Sequence, residues 1–110
     1  MAKTTDWLPG KRADQLLMAR NWLRIMTTEV QAGWNIPQAQ FTELEQLHAA
    51  AAELLQKAMS SERTAVITEQ CKAAFDALTG KMRFFKSHYF LAPPLTNADL
   101  VNLGFTPHDP

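Results

Sequence analysis

The sequence has few of the residues that support specialised folds or chemistry. Its one cysteine, Cys71, cannot close an intrachain disulfide, so a disulfide scaffold is excluded. Four glycines are scattered along the chain, and none forms a glycine-rich phosphate loop. Eleven Lys and Arg balance eleven Asp and Glu, and this zero net charge argues against nucleic-acid binding through bulk charge. No uncharged apolar run reaches the length of about eighteen residues that a membrane span needs.

The remaining composition is that of one ordinary globular domain. The chain has 110 residues, of which 46% are hydrophobic and 20% are charged, and these values fit a single packed core. The first twelve residues, MAKTTDWLPGKR, lack the apolar segment of a signal peptide, so we expect a cytoplasmic protein.

Apolar side chains recur at spacings of three and four and predict three long helices. These span residues 11–32, 37–59 and 65–89. The stripe of the third helix comprises Ile67, Cys71, Ala74, Leu78, Met82, Phe85 and Tyr89. A short fourth helix is expected between the cap residue Thr96 and the stop residue Gly104.

Because the connections are short, consecutive long helices should run antiparallel. No segment alternates polar and apolar residues as a strand would, so we predict an all-α fold. Its architecture is an up-down-up antiparallel bundle of three long helices plus the short C-terminal helix. Residues 1–105 form this domain, and residues 106–110 have the composition of a linker, as if the chain were cut at a domain boundary.

Several segments are similar to an uncharacterised bacterial protein family. They are RTAVITEQCKAAF (63–75), MRFFKSHYF (82–90), PPLTNAD (93–99), LGFTP (103–107) and, more loosely, WNIP (34–37). Ala65 departs from the pattern, which has proline at that position. The resemblance implies a helical N-terminal domain that precedes a β-rich domain in a longer protein, with no assigned activity.

Motifs that could carry catalysis or bind a metal are incomplete. Glu45-x-x-His48 occurs once, whereas a di-iron bundle needs this motif on two helices. We therefore expect His48 to border the apolar stripe and hydrogen-bond locally, with Glu45 in solvent. Cys71 lies in the apolar stripe of its helix, so it is interpreted as a small buried hydrophobic residue rather than a nucleophile. We predict no catalytic residues, no metal site and no cofactor.

The most unusual segment, the basic-aromatic segment, covers residues 81–90 at the end of the third helix. It interleaves basic residues with aromatic ones, a combination that binds anions through charge and stacking. The same cations also suit the negative end of a helix dipole. If the segment binds a ligand or partner, Arg83, Lys86 and Tyr89 are the candidate contacts.

The sequence favours one function by elimination, namely a non-catalytic helical module for protein–protein contact or self-association. Trp7, Trp22 and Trp34 lie in the first third of the chain and would either seal the core or form a docking surface, with core burial expected for at least two of them. The alternative is binding of a small anionic ligand or nucleic acid at the basic-aromatic segment.

Overall fold

The described chain is all-α. In the computed structural model, residues 7–61, 63–91 and 95–105 are described, and within these ranges there is no strand. The helices are α1 (Arg12–Ile25), α2 (Thr28–Gly33), α3 (Gln38–Ala58), α4 (Ala65–Phe85) and α5 (Asn97–Asn102), and a π turn (Lys86–Phe90) extends α4. Residues 1–6, 62, 92–94 and 106–110, the last of which are the linker-like end, lie outside the described residues.

The longest helices, α3 and α4, pair antiparallel as a hairpin. At one end, Gln40 and Glu43 near the start of α3 contact Lys81 near the end of α4. At the other end, Leu54 of α3 and Gln70 of α4 line the same groove. The hairpin is therefore in contact along most of its length, as the short connection between its helices requires.

Helix α1 packs on the hairpin. Its first residue, Arg12, lies over Cys71 and Phe75, and Trp22 near its end contacts Phe90. The molecule is thin, with principal extents of 47 × 42 × 17 Å. Since one helix with its side chains is about 10–12 Å across, α1 covers one side of the hairpin without enclosing it.

The first predicted helix is broken in the structure. We expected one helix over residues 11–32, but α1 ends at Ile25 and α2 begins at Thr28. The Thr27 hydroxyl caps α2 by accepting from the backbone N–H of Val30 at 3.3 Å. The buried side chain of Gln31 donates to the Met26 carbonyl at 2.8 Å, and this bond satisfies a group that the break would otherwise leave unpaired.

Loss of the Thr27 cap should destabilise this junction. Thr27→Ala is expected to lower the free energy of unfolding by about 1 kcal/mol, because a helix N-terminal amide loses its acceptor. Urea denaturation followed by circular dichroism measures the change, with Thr28→Ala, one residue further into the helix, as the matched control. If Thr27→Ala and Thr28→Ala lower the free energy of unfolding equally, the Thr27 cap does not stabilise the junction between α1 and α2.

The starts of α4 and α5 are confirmed by their caps. The Thr64 hydroxyl accepts from the backbone N–H of Ile67 at 3.1 Å and opens α4. Thr96 and Asp99 form a reciprocal capping box at α5. Gly104 ends the C-terminal turn with a φ of +99°, a value that glycine adopts without strain, and Phe105 packs back into the core as expected.

The end of the third predicted helix also differs from expectation. The α-helix ends at Phe85, and the next turn is a π turn in which the Leu91 N–H donates to the Lys86 carbonyl at 3.1 Å. In a continuous α-helix, Phe90 would lie about 140° around the axis from Phe85. The π turn is wider than an α-helical turn, and it allows both rings to be buried.

At Gly80 the helix α4 continues without interruption. An added Cβ would meet no neighbouring atom, so no close helix crossing occurs there.

The aromatic part of the core lies where α1, α4, the π turn and the C-terminal turn meet. Trp22 is fully buried, and its indole Nε1 donates to the Leu103 carbonyl at 2.7 Å. The rings that contact each other around it form what we call the aromatic cluster. Its members are Trp7, Trp22, Trp34, Phe85, Phe90 and Phe105. Trp7 and Trp34 are half-buried at its edge.

Candidate functional site

Two cations of the basic-aromatic segment, Arg83 and Lys86, lie at the edge of the aromatic cluster. The Lys86 ammonium lies 5.3 Å from the Trp7 ring centre and 5.2 Å from the Phe105 ring centre. The Arg83 guanidinium lies 5.7 Å from the same Trp7 ring. Cation–π contacts of this kind attach the two ends of the described chain to the end of α4. Both cations therefore already have a structural role.

Tyr89, the third candidate contact, lies on a different set of rings. It is half-buried, with its ring centre 5.2 Å from that of Phe85 and 5.9 Å from that of Phe84. Phe84 in turn stacks on His88 at 4.0 Å and lies beneath the Lys81 ammonium at 4.8 Å. Arg83 and Lys86 thus share the Trp7 ring, whereas Tyr89 packs against Phe84 and Phe85. Binding of an anionic ligand or partner by the three residues stays a prediction.

Cys71 is buried, as predicted, and its sulfur faces a cation. The side chain has no exposed surface, and the Arg12 guanidinium donates to its Sγ at 3.6 Å. Arg12 also lies 5.3 Å from the centre of the Phe75 ring, so the guanidinium covers this part of the core. The described partner of the thiol is therefore an arginine rather than the histidine that a cysteine nucleophile uses as its base.

His48 borders the apolar stripe as expected, but its hydrogen-bond partner lies on another helix. It is half-buried, and it bonds to the backbone of Leu16 in α1 rather than within its own helix. Glu45 is exposed. Burial lowers the pKa of His48 from its ordinary value of 6.5, the bond to Leu16 opposes this shift, and the positive charge of Arg20 adds to it. His48 therefore belongs to the interface between α1 and α3.

The lowered pKa of His48 predicts a pH dependence of stability. In the unfolded chain His48 takes up a proton near pH 6.5, whereas the folded chain resists protonation until a lower pH. The free energy of unfolding should therefore fall as the pH is lowered through 6.5 towards the folded pKa.

Denaturation of the wild type and of His48→Gln at a series of pH values measures this contribution. The variant should lose less stability on acidification, and the imidazole of His48 should titrate below 6.5 in an NMR experiment. Identical pH profiles for the two proteins would contradict the assignment.

In the described ranges, no three His, Cys, Asp or Glu side chains gather where they could hold a metal ion. Nor is any helix of the described chain both long and apolar enough to cross a bilayer.

One surface feature of the described chain is a shallow groove on the α3–α4 hairpin, which we call the outer groove. The seven residues that line it all come from these two helices, and small or apolar side chains form most of its floor. They are Ala50, Glu53, Leu54 and Lys57 from α3, and Gln70, Ala73 and Ala74 from α4. Sequence analysis missed this groove, because periodicity does not show which side of a hairpin another helix covers.

The outer groove lies on the side of α3 that faces away from α1. His48 contacts α1 through Leu16. Ala50 follows two residues later and is therefore about 200° further around the helix axis. Beyond the groove, towards the tip of the hairpin, Val66 and Met59 are 64% and 78% exposed, large values for apolar side chains. The outer part of the hairpin thus presents apolar surface that α1 does not cover.

Comparison with known proteins supplies no relative. No protein-family model, no curated protein and no solved structure matches the chain.

Proposed function

We propose that this chain is a non-catalytic helical module that works through protein–protein contact, and that the outer groove is its contact surface. The observation that supports this proposal is the groove itself, a strip of alanine and leucine floor on the hairpin with charged residues at its edge. The strip is more apolar than an ordinary solvated helix face, which is predominantly polar, and the buried centre of a protein interface is likewise more apolar than the surrounding surface.

The architecture suits that role. We infer that α1, α3 and α4 form an up-down-up arrangement, supported by the contacts of Arg12 with Cys71 at one end and of Trp22 with Phe90 at the other. The aromatic cluster holds α1, the π turn and the C-terminal turn together at one end of the hairpin. The rest of the hairpin then extends from this anchored end as a stiff two-helix surface.

We further propose that the module is cytoplasmic and is the N-terminal part of a longer bacterial protein. The support is the resemblance of residues 63–75, 82–90 and 93–99 to an uncharacterised family of such proteins. The β-rich domain that the resemblance implies would follow the C-terminal turn.

Affinity capture with matched variants tests the proposed function. Wild type, Ala50→Arg and Glu45→Arg are immobilised in parallel, and retained proteins are identified by mass spectrometry. Ala50 lines the groove, whereas Glu45 is exposed about 140° away around the same helix. Circular dichroism confirms that each variant is folded.

The proposal predicts proteins that wild type and Glu45→Arg retain and that Ala50→Arg loses, and these can include the chain itself. Retention that Ala50→Arg leaves unchanged would contradict the groove as the contact surface. If wild type retains nothing, and also does not bind a second copy of itself, the proposed function is wrong.

A further inference from the structure

We propose that the outer groove binds a second copy of this chain, so that the two α3 helices pack antiparallel about a two-fold axis at Ala50. This inference rests on the proposed function and names its partner. Its support comes from the placement of charges on α3, from the small side chains at the centre of the groove and from the zero net charge of the chain.

Three residues of α3 define the proposed axis. Glu43, Ala50 and Lys57 are spaced seven residues apart, so they lie in one stripe along the helix with a drift of only about 20° per step. Ala50 is the midpoint of this stripe. In an antiparallel pair with its two-fold axis at Ala50, residues equally distant from it on the two helices face each other. Glu43 of each copy then faces Lys57 of the other copy.

The charges at both ends of the stripe are available for such pairing. The side chains of Glu43 and Lys57 are 55% and 43% exposed. Within the chain, Glu43 pairs with Lys81 at 3.0 Å, and Lys57 pairs with Glu53 at 3.5 Å. Docking would therefore join two internal ion pairs into one neutral cluster of four charges at each end of the interface. The stripe is negative at one end and positive at the other. Two antiparallel copies of it therefore place opposite charges against each other.

The centre of the stripe allows the helices to approach closely. Residues 49–52 are all alanine, and Ala50 itself is on the groove floor together with Ala73 and Ala74 of α4. Small side chains reduce the distance between packed helices towards the lower end of the usual range of about 8–10 Å. Leu54, on the same floor, would be covered by the second copy and lose its contact with water.

The size of the surface indicates a weak dimer. The stripe from Glu43 to Lys57 is about 21 Å long, and two helices side by side are about 20 Å wide. The resulting face is smaller than the roughly 800 Å² per partner of a standard stable interface. We therefore expect a dissociation constant on the order of 10–100 μM, so measurements should extend to about 1 mM.

Sedimentation equilibrium with charge-reversal variants tests the two-fold arrangement. Wild type should shift from monomer to dimer between about 10 μM and about 1 mM. Glu43→Lys and Lys57→Glu each place like charges opposite each other at both ends, so each alone should weaken the dimer by about tenfold or more.

An equimolar mixture of the two variants should dimerise again, because every facing pair is then one lysine and one glutamate. The double variant Glu43→Lys/Lys57→Glu should also dimerise. A wild type that stays monomeric at the highest concentration would overturn the proposal. So would a mixture that dimerises no better than the separate variants.

Cross-linking locates the axis independently of charge. Ala50→Cys places two thiols against each other across the axis, so mild oxidation with diamide should give a covalent dimer that a reductant reverses. Glu45→Cys, exposed on another side of α3, is the matched control, and the native Cys71 is buried in both proteins. Cross-linking that is equal in the two variants, or absent from Ala50→Cys, would contradict an axis at Ala50.

The experiments distinguish the absence of a dimer from the absence of any protein contact through the outer groove. A chain that sediments as a monomer, but captures another protein in a manner that Ala50→Arg abolishes, keeps the groove as an interaction surface and excludes the second copy as its partner.

Discussion

Replacing Trp22 by alanine is expected to lower the free energy of unfolding by about 3–5 kcal/mol. The side chain is fully buried, and its ring centre lies 4.8 Å from that of Phe90 and 5.7 Å from that of Trp7. The substitution leaves a cavity where α1 meets the π turn and also removes the donor to the Leu103 carbonyl. Since small domains are stable by only about 5–15 kcal/mol, much of the total stability depends on this residue.

Urea denaturation of Trp22→Ala and Trp22→Phe measures the effect. The phenylalanine variant keeps part of the ring packing and loses the hydrogen bond, so its loss should be clearly smaller. Far-ultraviolet circular dichroism is the appropriate signal, because tryptophan fluorescence is itself altered by the change. A loss below about 1 kcal/mol for Trp22→Ala, the size of an ordinary substitution, would show that the aromatic cluster does not anchor the fold.

Replacing Phe90 by alanine should have a comparable effect, also about 3–5 kcal/mol. Phe90 is almost fully buried at the end of the π turn, and its ring contacts those of Trp22, Trp34 and Phe105. Burial of this ring is the gain that offsets the less favourable hydrogen bonding of a π turn. Without the ring, we expect the π turn that follows Phe85 to open.

His88→Ala is the matched control for Phe90→Ala, because His88 is exposed in the same turn. Its substitution should change the free energy of unfolding by less than about 1 kcal/mol. Denaturation gives the stabilities, and amide hydrogen exchange over residues 84–91 shows whether the turn opens. If Phe90→Ala is no more destabilising than the control, the buried ring does not account for the π turn.

The two large substitutions should not be additive. Trp22 and Phe90 are in direct ring contact, and residues in contact show coupling energies of about 0.5–3 kcal/mol in double-mutant cycles. The double alanine variant should therefore lose less stability than the sum of the two single losses, provided that it remains folded.

Local chemistry made several features predictable from the sequence. Thr64 and Thr96 mark helix starts because a hydroxyl can accept from an unpaired amide three residues later. Gly104 marks a stop because its φ of +99° is strained for other residues. The stripe through Cys71, Leu78 and Met82 correctly predicted the buried face of α4, since these side chains are fully buried.

Two features were not predicted, the break after α1 and the π turn after α4. The apolar stripe continues from Leu23 through Met26 to Val30, so periodicity alone predicts one helix. The break is stabilised by the Thr27 cap and by the bond from Gln31 to Met26. The adjacent Thr27 and Thr28 are a local signal of a new helix start, because threonine is a favoured N-cap residue. The π turn has no such signal, because its cause is the packing of Phe90 against rings distant in sequence.

The candidate site was the hardest part to predict. The alanines of α3 were visible in the sequence, but their role depends on which side of α3 receives α1. The contact of His48 with Leu16 decides this and places Ala50 on the far side. Glu43 and Lys57 carry opposite charges at equal distances from Ala50. These charges indicate pairing between two copies only after the structure has placed Ala50 in a groove.

A dilution series followed by two-dimensional ¹⁵N NMR tests the central claim, that the outer groove binds a second copy of this chain, most directly. Between about 1 mM and about 10 μM, we predict that amide shifts change along the groove faces of α3 and α4, around Ala50, Leu54 and Ala73. The amides of Arg83 and Lys86 should stay constant. Spectra without any concentration dependence, or changes confined to the basic-aromatic segment, would contradict binding of a second copy at the outer groove.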